Sequence, residues 1–312
     1  MSVVLQALAQ LAFFLIISPL VTGVIRTMKA RFQTRRGPSI WQPYLDLHKL
    51  LQKDMIIPDT ASWLFSATPY VVFLTAAIVS LMIPMVATEA PLSLFGGVLA
   101  VVYLLALGRF FLALGGLDTG TSFGGLGSSR EMTISAIAEP AMMVAIFTVA
   151  IAANSTNLSE VAKSAVGQSW RFLAPSQMLA FGALFIVLIA ETGRIPVDNP
   201  ATHLELTMIH EAMILEYSGP YLALIEWGAS MKQLVLMTLL VNTFVPFGLS
   251  PGWNISGIAT GLGFYLLKLL IICCLIVLVE TTNAKMRLFR VPELLAVAFI
   301  LGALALISTF LF

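Results

Sequence analysis

Apolar and polar positions alternate along this chain in long blocks rather than in the short rhythms of a water-soluble fold. Crossing ~30 Å of hydrocarbon takes about 20 apolar residues in a helix. Eight blocks qualify, at roughly 3–24, 67–87, 93–115, 132–153, 174–193, 221–247, 257–281 and 291–311. The pattern predicts an all-α, polytopic membrane protein with about eight transmembrane helices and amphipathic helices on its cytoplasmic side. The first block lacks a basic segment ahead of it and is too long for the apolar core of a signal peptide, so it reads as a span. No linker or polar stretch of domain size interrupts the series, and residues 1–312 are expected to form a single integral membrane domain.

Composition supports the same class. Hydrophobic residues make up 59% and charged ones 11%, with a mean hydropathy of +0.95, far from a soluble domain. The net charge of +1 gives no reason to expect nucleic acid as a partner; the lipid bilayer is the expected surrounding. The distribution of charge says more. Arg26, Lys29, Arg31, Arg35, Arg36, Lys49 and Lys53 lie in the first loop, Arg130 in the third, Arg194 in the fifth, and Lys285, Arg287 and Arg290 in the seventh. The even loops hold only Lys163 and Arg171. The positive-inside rule then puts the odd loops in the cytoplasm and both termini outside the cytoplasmic (inner) membrane.

Two loops invite a motif reading. After Arg35-Arg36-Gly37-Pro38, the apolar residues Tyr44, Leu45, Leu47, Leu50 and Leu51 alternate with Asp46, His48 and Lys49, which predicts an amphipathic interfacial helix. The basic residues of this loop serve either topology alone or the docking of a cytoplasmic partner. In the third loop, the glycine-rich stretch from Gly115 to Gly127 lacks the Gly-Lys-Ser/Thr ending of a phosphate-binding loop. Its glycines are expected to let backbones approach closely. Ser129 reads as a helix N-cap, with Glu131 in the first turn. Cys273 and Cys274 are adjacent, offer no C-x-x-C pair for a metal or cluster, and leave any redox centre to another chain.

The chemistry concentrates between positions 191 and 219. Five of the 16 acidic residues (Glu191, Asp198, Glu205, Glu211, Glu216) fall there with His203 and His210. H-E-x-x-H is absent, so no metal site is expected. Asn199-Pro200 reads as a helix start, with a helix able to run to Tyr217. Elsewhere Arg109, Glu139, Glu226, Lys232, Lys268 and Glu280 lie inside apolar blocks. Ionisable groups in such places are costly unless paired, hydrated or useful. Proton handling is therefore expected at Glu139, Glu191, Glu205, Glu211, Glu216, Asp198, Arg194, His203, His210, Lys232 and Lys268. Arg194, three residues after Glu191, would neutralise it if the helix continued.

Three motifs carry a resemblance over nearly the full chain: the loop ending Arg35-Arg36-Gly37-Pro38, the run Glu191-Thr-Gly-Arg194-Ile-Pro196-Val-Asp198, and Glu216-Tyr217-Ser218-Gly219. They resemble the membrane subunit shared by respiratory complex I, where it is the first mitochondrially encoded subunit, and energy-converting hydrogenases. Ile25 stands where complex I proteins usually carry an acid, and Ser39-Ile40-Trp41-Gln42 replaces their N-R-V-G. These departures, with Gly127-Ser-Ser129-Arg130-Glu131 and Glu139-Pro140, resemble the formate hydrogenlyase subunit 4 and hydrogenase-4 component C branch. At His203 and Glu205 the chain departs from that branch's acid-rich stretch.

The resemblance implies a non-catalytic subunit of an oxidoreductase complex. This chain would bind no cofactor, while a hydrogenase-like large subunit with a [NiFe] centre and an iron–sulfur small subunit dock on the odd loops through Arg26, Lys29, Arg31, Arg35, Arg36 and Arg130. Antiporter-like membrane subunits would lie alongside. The quinone-binding membrane subunit of a respiratory complex I would instead need a cavity under Arg35–Trp41. A stand-alone ion transporter would be expected to show the internal repeat that the chain lacks.

Overall fold

The computed structural model describes residues 3–167, 174–199, 208–252 and 255–311. Among these residues the chain is helical, with two isolated bridges and no strand. The helices are α1 (Val3–Phe32), α2 (Gln42–Leu51), α3 (Trp63–Met82), α4 (Val98–Asp118), α5 (Ser122–Ala152), α6 (Leu158–Gly167), α7 (Pro175–Glu191), α8 (His210–Ile214), α9 (Gly219–Phe244), α10 (Ile255–Thr282) and α11 (Val291–Leu311). Seven described helical segments, in α1, α3, α4, α5, α9, α10 and α11, are long and apolar enough to cross a membrane. The remaining apolar block, 174–193, is α7, whose 17 residues span about 25 Å at 1.5 Å per residue.

Each bundle end is fastened by groups that satisfy the free backbone donors and acceptors of helix termini. At the basic end, Asp118 closes α4 and caps α3, accepting from Ser62 N (2.7 Å), Ser62 Oγ (2.7 Å) and Phe65 N (3.3 Å). The Arg35–Pro38 turn folds back on α1, where Thr27 Oγ1 donates to the Pro38 carbonyl (3.0 Å). Gly23 permits this, since a Cβ there would collide with the Ile40 carbonyl. At the opposite end, the loop after α3 and the loop after α9 bond backbone to backbone, Thr88 N to Ser250 O (3.0 Å) and Ser250 N to Val86 O (2.9 Å). Asn242 donates to the carbonyls of Pro84 (2.9 Å) and Met85 (2.8 Å), and Gln10 to those of Ser80 (2.7 Å) and Ile83 (2.9 Å). The main apolar core, including Val79, Met82, Val149, Leu240 and Phe244, takes in that half and continues toward the basic end through Ile134 and Ile209.

Three sequence expectations need correction. The α5 helix begins at Ser122 with Thr121 as N-cap, its Oγ1 accepting from Gly124 N (3.3 Å), so Ser129 is not a cap and Glu131 lies in the third turn. The glycines of that stretch lie largely within α4 and α5, and there they allow the close backbone approach expected of them. A Cβ on Gly124 would collide with the Gly116 carbonyl, and one on Gly127 would crowd Ala212 and Ile209. The helix expected to reach Tyr217 ends at Ile214, because the chain turns there to enter α9; its predicted start at Pro200, with His203 and Glu205, lies outside the described residues. Finally, α7 stops at Glu191. Thr192 bonds back to the Leu188 carbonyl (2.7 Å) and Gly193 takes φ +58°, a left-handed turn that glycine favours. Arg194 therefore leaves the helical side of Glu191.

Candidate functional site

The turn after α7 leads into a cavity of about 590 Å³. Its wall runs from Arg35–Pro38 at the basic end to Thr75 and Leu105 near mid-bundle. No described residue of the loops at the opposite end lines it. The cavity lies in the basic half of the bundle.

Charge gathers at this cavity in two groups, with Glu139 of the first outside its lining. The first centres on Arg109, a buried residue of α4. One guanidinium nitrogen pairs with Glu191 of α7, another lies 3.3 Å from Glu139 of α5, and Nε lies 3.6 Å from Glu131 of α5. Lys232 of α9 adds a second cation, 2.9 Å from Glu191. Three carboxylates thus share two cations. The Glu191 side chain is only 2% exposed, and its Oε1 has no hydrogen-bond partner among the described residues. The Glu139 side chain keeps 32% exposure although it sits well within a membrane-length helix.

The second group inverts the balance. Buried Glu280 of α10 receives Lys29 of α1 on one oxygen (2.8 Å) and Arg194 on the other (2.8 Å). Arg194 also donates to Gln233 of α9 (2.9 Å). Charge-assisted hydrogen bonds of this length are the strong ones, and together they tie α1, α9 and α10 to the turn after α7.

Other sequence candidates find different surroundings. Asp198 is buried and accepts from Asn199 N (2.8 Å), Ile209 N (3.0 Å), His210 N (3.4 Å) and Lys285 Nζ (2.8 Å), which makes it a clamp between two chain segments. His210 and Glu211 line the cavity. Burial pushes the Glu211 carboxyl above its usual range, with Glu226 and Asp198 adding to the effect and His210 and Arg26 opposing it. Glu216 is exposed. Its neighbour Tyr217 is buried, stacks on Phe65 and donates to the Phe65 carbonyl (3.2 Å). Lys268 is not brought to the cavity; its ammonium donates to Val245 O (2.7 Å) at the end of α9, where a helix terminus favours a cation. Of the expected docking set, Arg31, Arg35 and Arg36 are exposed, Arg26 faces Asp46 at 4.0 Å, Lys29 is spent on Glu280, and Arg130 donates to Met208 O (3.2 Å).

The sequence set Arg109 and Glu280 among the charges inside apolar blocks without giving them a role, read Glu131 as part of a helix start, and gave no sign of Gln233. The signal for Arg109 and Glu280 was there, since an ionisable residue within a span is a functional candidate by default. Glu131 was hidden by its apparent capping position. Among the described residues no group of His, Cys, Asp and Glu is arranged to hold a metal ion, and the paired carboxylates are matched to cations instead.

A multi-pass helical bundle with a one-sided, charge-lined cavity defines an integral membrane protein built around buried ion pairs. The chain belongs to the NADH dehydrogenase family, whose profile matches residues 5–311. It is 36% identical to hydrogenase-4 component C of Escherichia coli (strain K12), over 97% of this chain and 94% of that one. It is 32% identical to formate hydrogenlyase subunit 4 of the same strain, over 98% of each. A subunit of the NADH-quinone oxidoreductase of Rubrobacter xylanophilus is 27% identical over 75% of this chain and 72% of its own length. Among solved structures, a chain of the membrane-bound sulfane sulfur reductase, an archaeal respiratory membrane complex, shares the fold, with a TM-score of 0.86 at 20% identity over 98% and 99% of the two chains.

Proposed function

We propose that this chain is the membrane-anchoring, proton-coupling subunit of a complex I-like energy-converting hydrogenase. Its full-length similarity to hydrogenase-4 component C and formate hydrogenlyase subunit 4 supports that setting. In it, a hydrogenase-like large subunit and an iron–sulfur small subunit carry the redox centres, antiporter-like subunits lie beside this one, and the chain itself is non-catalytic. The basic end faces the cytoplasm and both termini face outward. Exposed Ser39 and Thr156 lie at opposite ends of the bundle, so an impermeant thiol reagent should label Thr156→Cys and not Ser39→Cys in intact cells.

The observation that carries proton coupling is the Arg109 group. Three carboxylates on two cations leave one negative charge in excess, and a proton is the ion best able to compensate it inside a low-dielectric bundle. A cavity of this size with charged groups in its wall has room for water, which would link Glu191 to the basic end. Glu139 lies at the far side of the same cluster, facing out of the bundle. Redox turnover in the docked module would change the charge balance at the cavity, and the cluster would take up or release its proton in response. Glu191→Gln keeps shape and hydrogen bonding but removes the titrating group. The complex should assemble and turn over, yet lose turnover-linked proton movement in proteoliposomes. Wild-type pumping per electron pair in that variant would refute the assignment.

The cavity beneath Arg35–Pro38 is also what a quinone-binding subunit would need, and its volume suits a small ligand. Apolar residues such as Ile25, Val72, Leu105, Leu112 and Ile134 line it beside the charged ones. Protection of the complex by a quinone analogue in thermal unfolding would favour that second reading.

A further inference from the structure

The geometry points to Glu280 as a positioning residue for the Glu191 cluster: it holds Arg194 away from Glu191, and Lys29 regulates how firmly. This rests on the proton-coupling reading above. The starting observation is an imbalance of charge across one cavity. Glu280 faces two cations, Lys29 and Arg194, both at 2.8 Å. Across the cavity, Arg109 and Lys232 face three carboxylates, Glu131, Glu139 and Glu191. One group has a cation to spare and the other a carboxylate.

Arg194 is the residue placed to cross between them. It follows Glu191 by three positions in the turn that ends α7, and both line the same cavity. Three buried atoms in this wall have no hydrogen-bond partner among the described residues, Arg109 Nε, Glu191 Oε1 and Arg194 Nε; Glu191 Oε1 is the acceptor among them. A guanidinium released from Glu280 would find an acceptor on Glu191 and remove the excess negative charge that the proton otherwise balances. Two attachments keep it where it is, the Glu280 carboxylate and the Gln233 amide oxygen at 2.9 Å.

Lys29 is the member of this group that a partner can reach. Its side chain is 25% exposed, and it lies in α1 just before the exposed arginines Arg31, Arg35 and Arg36. While its ammonium rests on one oxygen of Glu280 it shares that carboxylate's charge with Arg194, which holds the other oxygen. An acidic group on a docked subunit that drew Lys29 outward would leave Glu280 to Arg194 alone. Arg194 would then be held more tightly, and the Arg109 cluster left with the excess negative charge that its proton balances. The triad converts contact at the basic face into a charge setting inside the cavity, without any movement of helices.

The test uses the whole purified complex with Glu280→Gln, Glu280→Gln combined with Arg194→Gln, and Lys29→Met. An electron cryo-microscopy map of Glu280→Gln should find the Arg194 guanidinium on Glu191. Protons moved per electron pair should drop at least roughly fivefold, the low end of coupling between linked sites. The added Arg194→Gln should restore the ratio, and Lys29→Met should keep it at or above wild type. Arg194 still lying against position 280 in the map would overturn the proposal. So would an equal loss in Glu280→Gln and Lys29→Met with no rescue, since that marks a plain anchor for α10. Should Glu191→Gln pump normally, the proton-coupling reading falls, while the map alone still decides where Arg194 sits.

Discussion

The Lys232 ammonium stands 2.9 Å from the Glu191 carboxylate, on the same oxygen that Arg109 engages. Two cations from α4 and α9 therefore converge on the last residue of α7, and the third of their three carboxylates is left without a cation of its own. Arg109 is the hub of this arrangement because its planar guanidinium alone reaches three acids. Arg109→Met would leave three carboxylates facing one lysine. Removing one partner of a buried ion pair costs about 3–5 kcal/mol, enough that little assembled subunit should be recovered from membranes. Arg109→Lys keeps the charge but loses the fork, and should assemble with a lowered unfolding temperature in detergent. Normal thermal stability of Arg109→Met would show that the cluster is solvated rather than buried.

The Glu216-Tyr217-Ser218-Gly219 motif works as a brace. Tyr217 lies flat on Phe65, with ring centroids 4.0 Å apart. Gly115 makes room for its hydroxyl, since a Cβ there would run into it. Ser218 Oγ bonds both the N–H (2.9 Å) and the carbonyl (3.2 Å) of Ile56. Tyr217→Phe removes one hydrogen bond and should cost about 1 kcal/mol. Tyr217→Ala removes the stacked ring and should cost roughly 3–5 kcal/mol, seen as lost subunit or a lower unfolding temperature. Glu216→Gln, at an exposed position, should leave stability unchanged.

How much of this was legible in the sequence differs between elements. Apolar blocks predicted all eight bundle helices, because burial in lipid leaves no alternative to a long apolar helix. The start of α5 was missed because glycines lower local helix propensity. Their contacts with Gly116 and Ala212 exist only once α4 and α8 are packed. The same holds at the site. Glu191, Glu139 and Lys232 could be singled out one by one as costly charges. That Arg109 would serve Glu131, Glu139 and Glu191 together depends on helix registers that no local pattern encodes. Arg194 misled for a related reason, since Gly193 turns the chain and delivers it to Glu280.

Glu211 should make stability depend on pH. Burial raises its carboxyl above the usual range, so the folded state favours the neutral form. That contribution is complete below the unfolded-state value of about 4.3 and is lost as pH rises through the folded-state value. Glu211→Gln is neutral throughout and should flatten this part of the profile. Wild-type unfolding temperature in detergent should fall as pH rises above about 4.3 by more than that of the variant. Identical profiles would mean that Glu211 is as well hydrated in the folded protein as in the unfolded one.

Arg35 and Arg36 have a different environment from the cavity charges. Both are exposed on the turn that closes the cavity wall, and neither forms an ion pair among the described residues. Their charge is therefore available to a partner, whereas that of Lys29 and Arg130 is partly used within the chain. Reversing both to glutamate sets like charges against an acidic docking face, and should weaken retention of the peripheral module. Electrostatic contacts at an exposed face are screened over about 10 Å at 0.1 M salt, so the repulsion should be greatest at low ionic strength. The measurement is the amount of hydrogenase-like subunit that co-purifies with this chain across a salt series. Full retention at low salt would leave these arginines with a topological role alone, fixing which face of the membrane the loop occupies.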